Sequence, residues 1–231
     1  MIDNETRRKL RELNLSEMVD ILDSQDKNPI TLSYSFDERI REAVDYLYRE
    51  KNNNRIRRLE KSAHFRIPSA DLYNLVYERR GFTPELINNL HTCSYLKNKT
   101  NLILQGFTGS GKTFLSCALG RAACANLFRV FYIRLPDLLI KYDEAAAEEL
   151  KATQKLINRL SKYDLLIVDE WLMENFTDQE QHFLLELVEH RYDCGSFILC
   201  TQYKREDWLS RLGANTHAEA IMDRTFITQF G

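Results

Sequence analysis

Apolar and polar positions follow two rhythms along this chain. Up to about residue 90 the apolar positions recur at helical spacing. Ile40, Val44, Leu47 and Tyr48 follow Ser35 and Glu38, a pair three apart that reads as a capping box and opens a helix running to about Leu59 or beyond. Thr83-Pro84 is a second helix start, an N-cap with proline at the first helical position, for a short helix ending near His91. From Asn101 short apolar runs alternate with helix-length segments: Leu102 to Leu104, Val130 to Ile133, Leu165 to Val168, Phe197 to Cys200 and Phe226 to Thr228. Five such runs predict a five-stranded parallel sheet covered on both faces. Thr177 and Glu180 form another capping box ahead of Phe183, Leu184, Leu187 and Val188.

A chain of 231 residues, 44% hydrophobic, can bury such an α/β core and still keep a smaller accessory region. The expected division is a helical domain over 1–80 and an α/β domain over 81–231. Basic and acidic residues number 32 and 34, so no global field favours nucleic acid or membrane, and any such surface is local. Cys93, Cys117, Cys124, Cys194 and Cys200 show no C-x-x-C pairing and read as reduced, buried thiols. The polar amino terminus and the lack of a long apolar run predict a cytoplasmic protein with no membrane span. His64, His91, His182, His190 and His217 lack metal-ligand spacing.

Between the first predicted strand and the following helix, Gly106, Phe107, Thr108, Gly109, Ser110, Gly111, Lys112 and Thr113 match G-x-x-x-x-G-K-S/T in full, with Phe114 next on the helix. Glycines let backbone N–H groups wrap a phosphate, Lys112 reaches the β/γ oxygens, and Thr113 ligates magnesium. The ligand implied is Mg-ATP. Asp164 to Glu170 supplies the complement, an apolar strand ending in two acids at its carboxyl end, where ligands of open α/β sheets bind. Asp169 is assigned the magnesium and Glu170 the attacking water. Thr201 and Gln202 end the next strand and can place a polar group between the acids and the phosphate. Arg224 stands just before the last predicted strand. By itself it suits a salt bridge with Asp223 or another acid.

With these motifs, Arg191 to Ser196, Ala220 to Arg224 and the amino-terminal Leu15 to Met18 and Ser35 to Arg39, the sequence resembles the IstB-type transposition helpers and their DnaC-like helicase-loader relatives among the AAA+ ATPases. The resemblance covers nearly the whole chain. It implies an AAA+ P-loop domain behind a small helical amino-terminal domain, without a helical carboxyl-terminal lid. It also implies ATP-dependent rings or spirals of the chain on DNA, and a partner transposase or helicase. Gln202 matches the sensor position, and Arg224 the arginine finger presented to a neighbour's ATP. Trp171-Leu172-Met173 and Phe107-Thr108 depart from the family pattern without touching a phosphate or magnesium contact. Relatives carry a short basic tail beyond the last strand where this chain ends at Gly231, which suggests a truncation or a divergent member.

Residues 49 to 66 carry seven basic residues against Glu50 and Glu60. On a helix Lys51, Arg55 and Arg58 share one face, with Arg57 and Lys61 beside them. This stripe is the candidate contact to DNA backbone, with little sequence preference, and the competing reading is a solvated helix face. The leading function is a DNA-dependent ATPase that selects target DNA and stimulates a transposase. The alternatives are a helicase loader and, against the presence of Glu170 and the lack of an arginine-rich lid, a P-loop kinase.

Overall fold

The computed structural model describes residues 2–74, 83–148 and 150–226. They divide into two compact units, Met1–Arg58 and Leu59–Gly231, a boundary earlier than the one expected at residue 80. Residues 59–74 therefore belong with the α/β part.

The first unit contains α1 (Asn4–Glu12), α2 (Ser16–Lys27), α3 (Pro29–Leu32) and most of α4 (Phe36–Ser62). Its apolar core is small, with Val19 and Ala43 buried, and polar bonds supplement it. Buried Gln25 donates to the Arg39 carbonyl at 2.9 Å and to Glu42 at 2.8 Å, while the Thr31 hydroxyl donates to the Gln25 carbonyl at 2.7 Å. Arg7 pairs with Asp23, and Arg39 with Asp26. The expected box opens α4, since the Ser35 N–H donates to Glu38 at 2.8 Å.

The second unit runs through α5 (Pro84–His91), α6 (Ser94–Lys97), β1 (Leu102–Gln105), α7 (Lys112–Ala125), β2 (Val130–Arg134), α8 (Leu135–Glu148), α9 (Leu150–Leu160), β3 (Leu165–Asp169), α10 (Asp178–Arg191), β4 (Ser196–Thr201), α11 (Arg205–Arg211) and α12 (Thr216–Phe226). Thr83 caps α5 and the Thr177–Glu180 box caps α10, both as expected. The strands are parallel in the order β1-β4-β3-β2. Central β3 and β4 are buried on both faces, which is why they read as unbroken apolar runs.

Residue parity assigns each side chain to a face. Val130, Tyr132, Leu165, Ile167, Ile198 and Cys200 pack in the core around α7, whereas Ile133, Leu166, Val168, Phe197 and Leu199 pack in the core around α10. Gly120 brings α7 close to the sheet: a Cβ there would meet Phe65 at 2.4 Å and Ile167 at 2.8 Å. On the other side buried Arg191 donates to the carbonyls of Leu160, Tyr163 and Ser196 at 2.7, 2.9 and 2.8 Å, joining the end of α9 to the starts of β3 and β4. Burial lowers its pKa to about 10.

The expected fifth strand is a correction. Among the described residues the sheet has four strands, and Phe226 is the last residue of α12; Ile227 and Thr228 lie outside the described residues. Ala218, Ile221 and Thr225 are buried at helical spacing, and the Phe226 ring packs on Trp208 at 4.6 Å beneath the Arg205 guanidinium. A short run of aromatic and β-branched residues does not by itself separate a strand from the end of a buried helix.

Candidate active site

The P-loop leaves the carboxyl end of β1, and its backbone demands the motif's glycines. Gly109 and Gly111 have φ of +79° and +92°, a region side chains disfavour, and a Cβ on Gly106 would meet the Ser110 hydroxyl at 2.7 Å. Gly111 caps α7 without a side-chain hydrogen bond. Lys112 folds back over the loop, its Nζ donating to the carbonyls of Gly106 at 2.6 Å and Phe107 at 2.8 Å. Phe107 is exposed, while Phe114 packs against the α7 core.

Because Asp169 shares the parity of Leu165 and Ile167, its side chain lies on the α7 face, where it meets the P-loop helix. The Thr113 hydroxyl donates to Asp169 Oδ2 at 2.7 Å, and the Tyr132 hydroxyl donates to the same oxygen at 2.7 Å. Asp169 Oδ1 accepts the Glu170 N–H at 2.9 Å. Glu170 itself has φ of +60°, at a tight turn that the Trp171 N–H ties to the Cys200 carbonyl at 2.8 Å. Its carboxylate accepts from Arg134 at 2.7 Å and from Arg66 at 3.2 Å. The Arg134 hydrogen bond, with Arg66 adding to it, holds the Glu170 carboxyl below the usual carboxylate range against the opposing effect of burial. Between the loop and the acids, β4 ends in Thr201, whose carbonyl accepts the Gly106 N–H at 3.1 Å. Next to it Gln202 Oε1 accepts the Thr108 hydroxyl at 3.3 Å.

This donor set fits a nucleoside triphosphate and a hard cation: N–H groups in a glycine-shaped cradle, an ammonium, and a hydroxyl beside a carboxylate. Arg224 lies on α12 rather than ahead of a strand. It pairs with Glu189 of α10 rather than with Asp223, and donates to the Ala220 carbonyl at 3.0 Å. Among the described residues, none of its hydrogen-bond or ion-pair partners belongs to the P-loop or the acid pair.

The family described as IstB-like ATP binding protein matches residues 8–228. The chain belongs to that family. It is 34% identical over 204 residues to the ATP-binding protein of insertion sequence IS1162 from Pseudomonas fluorescens, covering 87% of each. Among solved structures it is similar to the replication initiator DnaA bound to AMPPCP and single-stranded DNA (TM-score 0.54, 19% identity, 68% of this chain and 47% of that one). It is also similar to the DnaC helicase loader (TM-score 0.52, 20% identity, 67% and 93%). At these identities the likeness establishes the fold alone, an α/β P-loop domain.

Within this IstB-like chain Lys51, Arg55, Arg57, Arg58 and Lys61 are all exposed on α4. Lys51 donates to the Asn14 carbonyl at 3.0 Å, and the other four make no ion pair among the described residues. Arg66, part of the same basic stretch in the sequence, is instead a partner of Glu170. Sequence reasoning missed Arg66, Tyr132 and Arg134 as site residues. Strand parity was the available signal for the last two, because Tyr132 and Arg134 share the parity of Val130, which packs on the α7 side of β2 beside β3. Four of the cysteines are buried as expected and Cys194 is exposed. Burial pushes the thiols of Cys93 and Cys124 up to about 11 and about 12, so neither is poised to react. Among the described residues no helix is long and apolar enough to cross a membrane.

Proposed function

We propose that the chain is a DNA-coupled ATPase that assembles on DNA, selects target DNA and stimulates a partner transposase. The observation that carries the ATPase reading is the 2.7 Å hydrogen bond from Thr113 to Asp169, which joins the P-loop helix to the acid-bearing strand as one site. Lys112, released from the loop carbonyls, meets the β/γ oxygens. Thr113 and Asp169 are the residues that would hold magnesium, which supplies charge neutralisation on the phosphates when bound. Glu170 orients the attacking water and takes its proton, and Gln202 contributes a polar contact beside the γ-phosphate. Arg224 serves a neighbouring subunit's nucleotide in a ring or spiral. The transposition role is preferred over helicase loading because the relative at 34% identity is a protein of an insertion sequence, whereas the DnaC likeness concerns the fold.

Separable roles for Lys112 and Glu170 provide the test. Lys112→Ala weakens ATP binding, whereas Glu170→Gln keeps the cradle and loses the base, so it binds ATP and turns over at least a hundredfold more slowly, a magnitude typical of general-base loss. Equal steady-state phosphate release by wild type and Glu170→Gln, with contaminating ATPase excluded, refutes the assignment.

A further inference from the structure

We propose that Tyr132 is a positioning residue of the ATP site, its hydroxyl fixing the carboxylate of Asp169 for metal binding. This rests on the reading above that Asp169 holds the metal.

Asp169 is only 2% exposed, and its carboxylate is held from three directions. Thr113 approaches from α7, Tyr132 from β2, and the Glu170 N–H from the turn that follows β3. Two hydroxyls share Oδ2 at 2.7 Å each. Thr113 is the group the P-loop motif directs at the metal, so its hydroxyl has two tasks. Tyr132 has no place in that motif, and its donor is free to serve Asp169 alone.

The placement of Tyr132 is rigid. It sits opposite Ile167 in the parallel register, 6% exposed in the core around α7. Its N–H donates to the Ala63 carbonyl at 2.8 Å, so β2 is secured at this residue from its outer side. A phenol carries its hydroxyl on a stiff ring with two torsions, and holding it in place costs little entropy. Arg66 donates to the neighbouring acid, Glu170, at 3.2 Å, so each of the two acids has its own side-chain support.

A carboxylate with one fewer donor can rotate about its last torsion and present either oxygen. The cost of that freedom falls on whatever must coordinate in a defined direction. Hydrogen-bond partners of metal-binding side chains are typically worth 10- to 100-fold in metal affinity. If the tyrosine merely satisfies its own buried hydroxyl by bonding the nearest acid, no metal-specific effect follows.

Tyr132→Phe in the full chain removes only the oxygen and separates the two cases. Binding of a fluorescent ATP analogue is followed in a magnesium titration and, separately, in excess chelator, with thermal unfolding and near-ultraviolet circular dichroism confirming the fold. The expected result is a rise of about tenfold in the magnesium concentration for half-maximal binding, with chelator-phase binding unchanged. An unmoved magnesium dependence overturns the proposal, as does an equal loss of binding with and without magnesium. A wild-type chain whose nucleotide binding is indifferent to magnesium overturns the underlying reading of Asp169, which distinguishes that failure from the failure of Tyr132.

Discussion

Arg134 donates to Glu170 at 2.7 Å, and the register that sets Arg134 opposite Asp169 is what brings a β2 side chain to the acid that follows β3. The pair keeps the Glu170 carboxyl below its usual range. Because the folded-state pKa is depressed, the pair's stabilising effect is complete above the ordinary carboxylate pKa and is lost as pH falls through the folded value. Replacing Arg134 with alanine removes the hydrogen bond chiefly responsible for that depression, so the acidic limb of the ATP turnover profile moves to higher pH. A pH–rate profile of wild type against Arg134→Ala checks this, and coincident acidic limbs refute it.

Gly120→Ala forces a methyl group against Phe65 and Ile167, in a core with no space for it. Overpacking of this kind costs about 1–3 kcal/mol, which outweighs the gain in helix propensity of up to about 1 kcal/mol. Equilibrium denaturant unfolding should show a lower midpoint with an unchanged slope. A midpoint equal to or above wild type shows that α7 shifts at little cost.

Arg224 is held by Glu189 within its own chain and, among the described residues, makes no bond to the P-loop. If it serves a neighbour, its loss lowers turnover on the order of 10³-fold, far beyond the effect of a surface ion pair. Mixing Arg224→Ala with Lys112→Ala subunits, each inactive alone, should then restore activity in assemblies containing both. Mixed assemblies that demonstrably form yet remain inactive refute action across the interface.

The exposed stripe on α4 predicts backbone contact with DNA. Changing Arg55, Arg57 and Arg58 together to alanine should weaken binding to all sequences alike and flatten the salt dependence by roughly two to three units. ATP binding by the isolated subunit is retained, since the three arginines are no part of the P-loop or the acid pair. Unchanged affinity and salt slope in the presence of ATP show the stripe to be a solvated face.

Local chemistry made much of this protein legible in its sequence. The capping pairs Ser35–Glu38 and Thr177–Glu180, the cap at Thr83, four of the strands and the P-loop all depend on residues close together in the chain, where spacing and side-chain type suffice. The acids were legible for the same reason, standing at the end of an apolar strand. What only the tertiary structure decided is who meets whom. Arg66 looked like one more charge in a basic run, yet the chain after α4 brings it to Glu170. Tyr132 looked like ordinary strand packing until β2 paired with β3 and carried its hydroxyl to Asp169. Phe226 read as a strand because its neighbours in sequence suit one, whereas its neighbours in space, Trp208 and Arg205, hold it at a helix end. Such contacts join residues tens of positions apart through the order in which strands lie in the sheet. That order depends on how all the apolar faces pack together, a property no local spacing encodes.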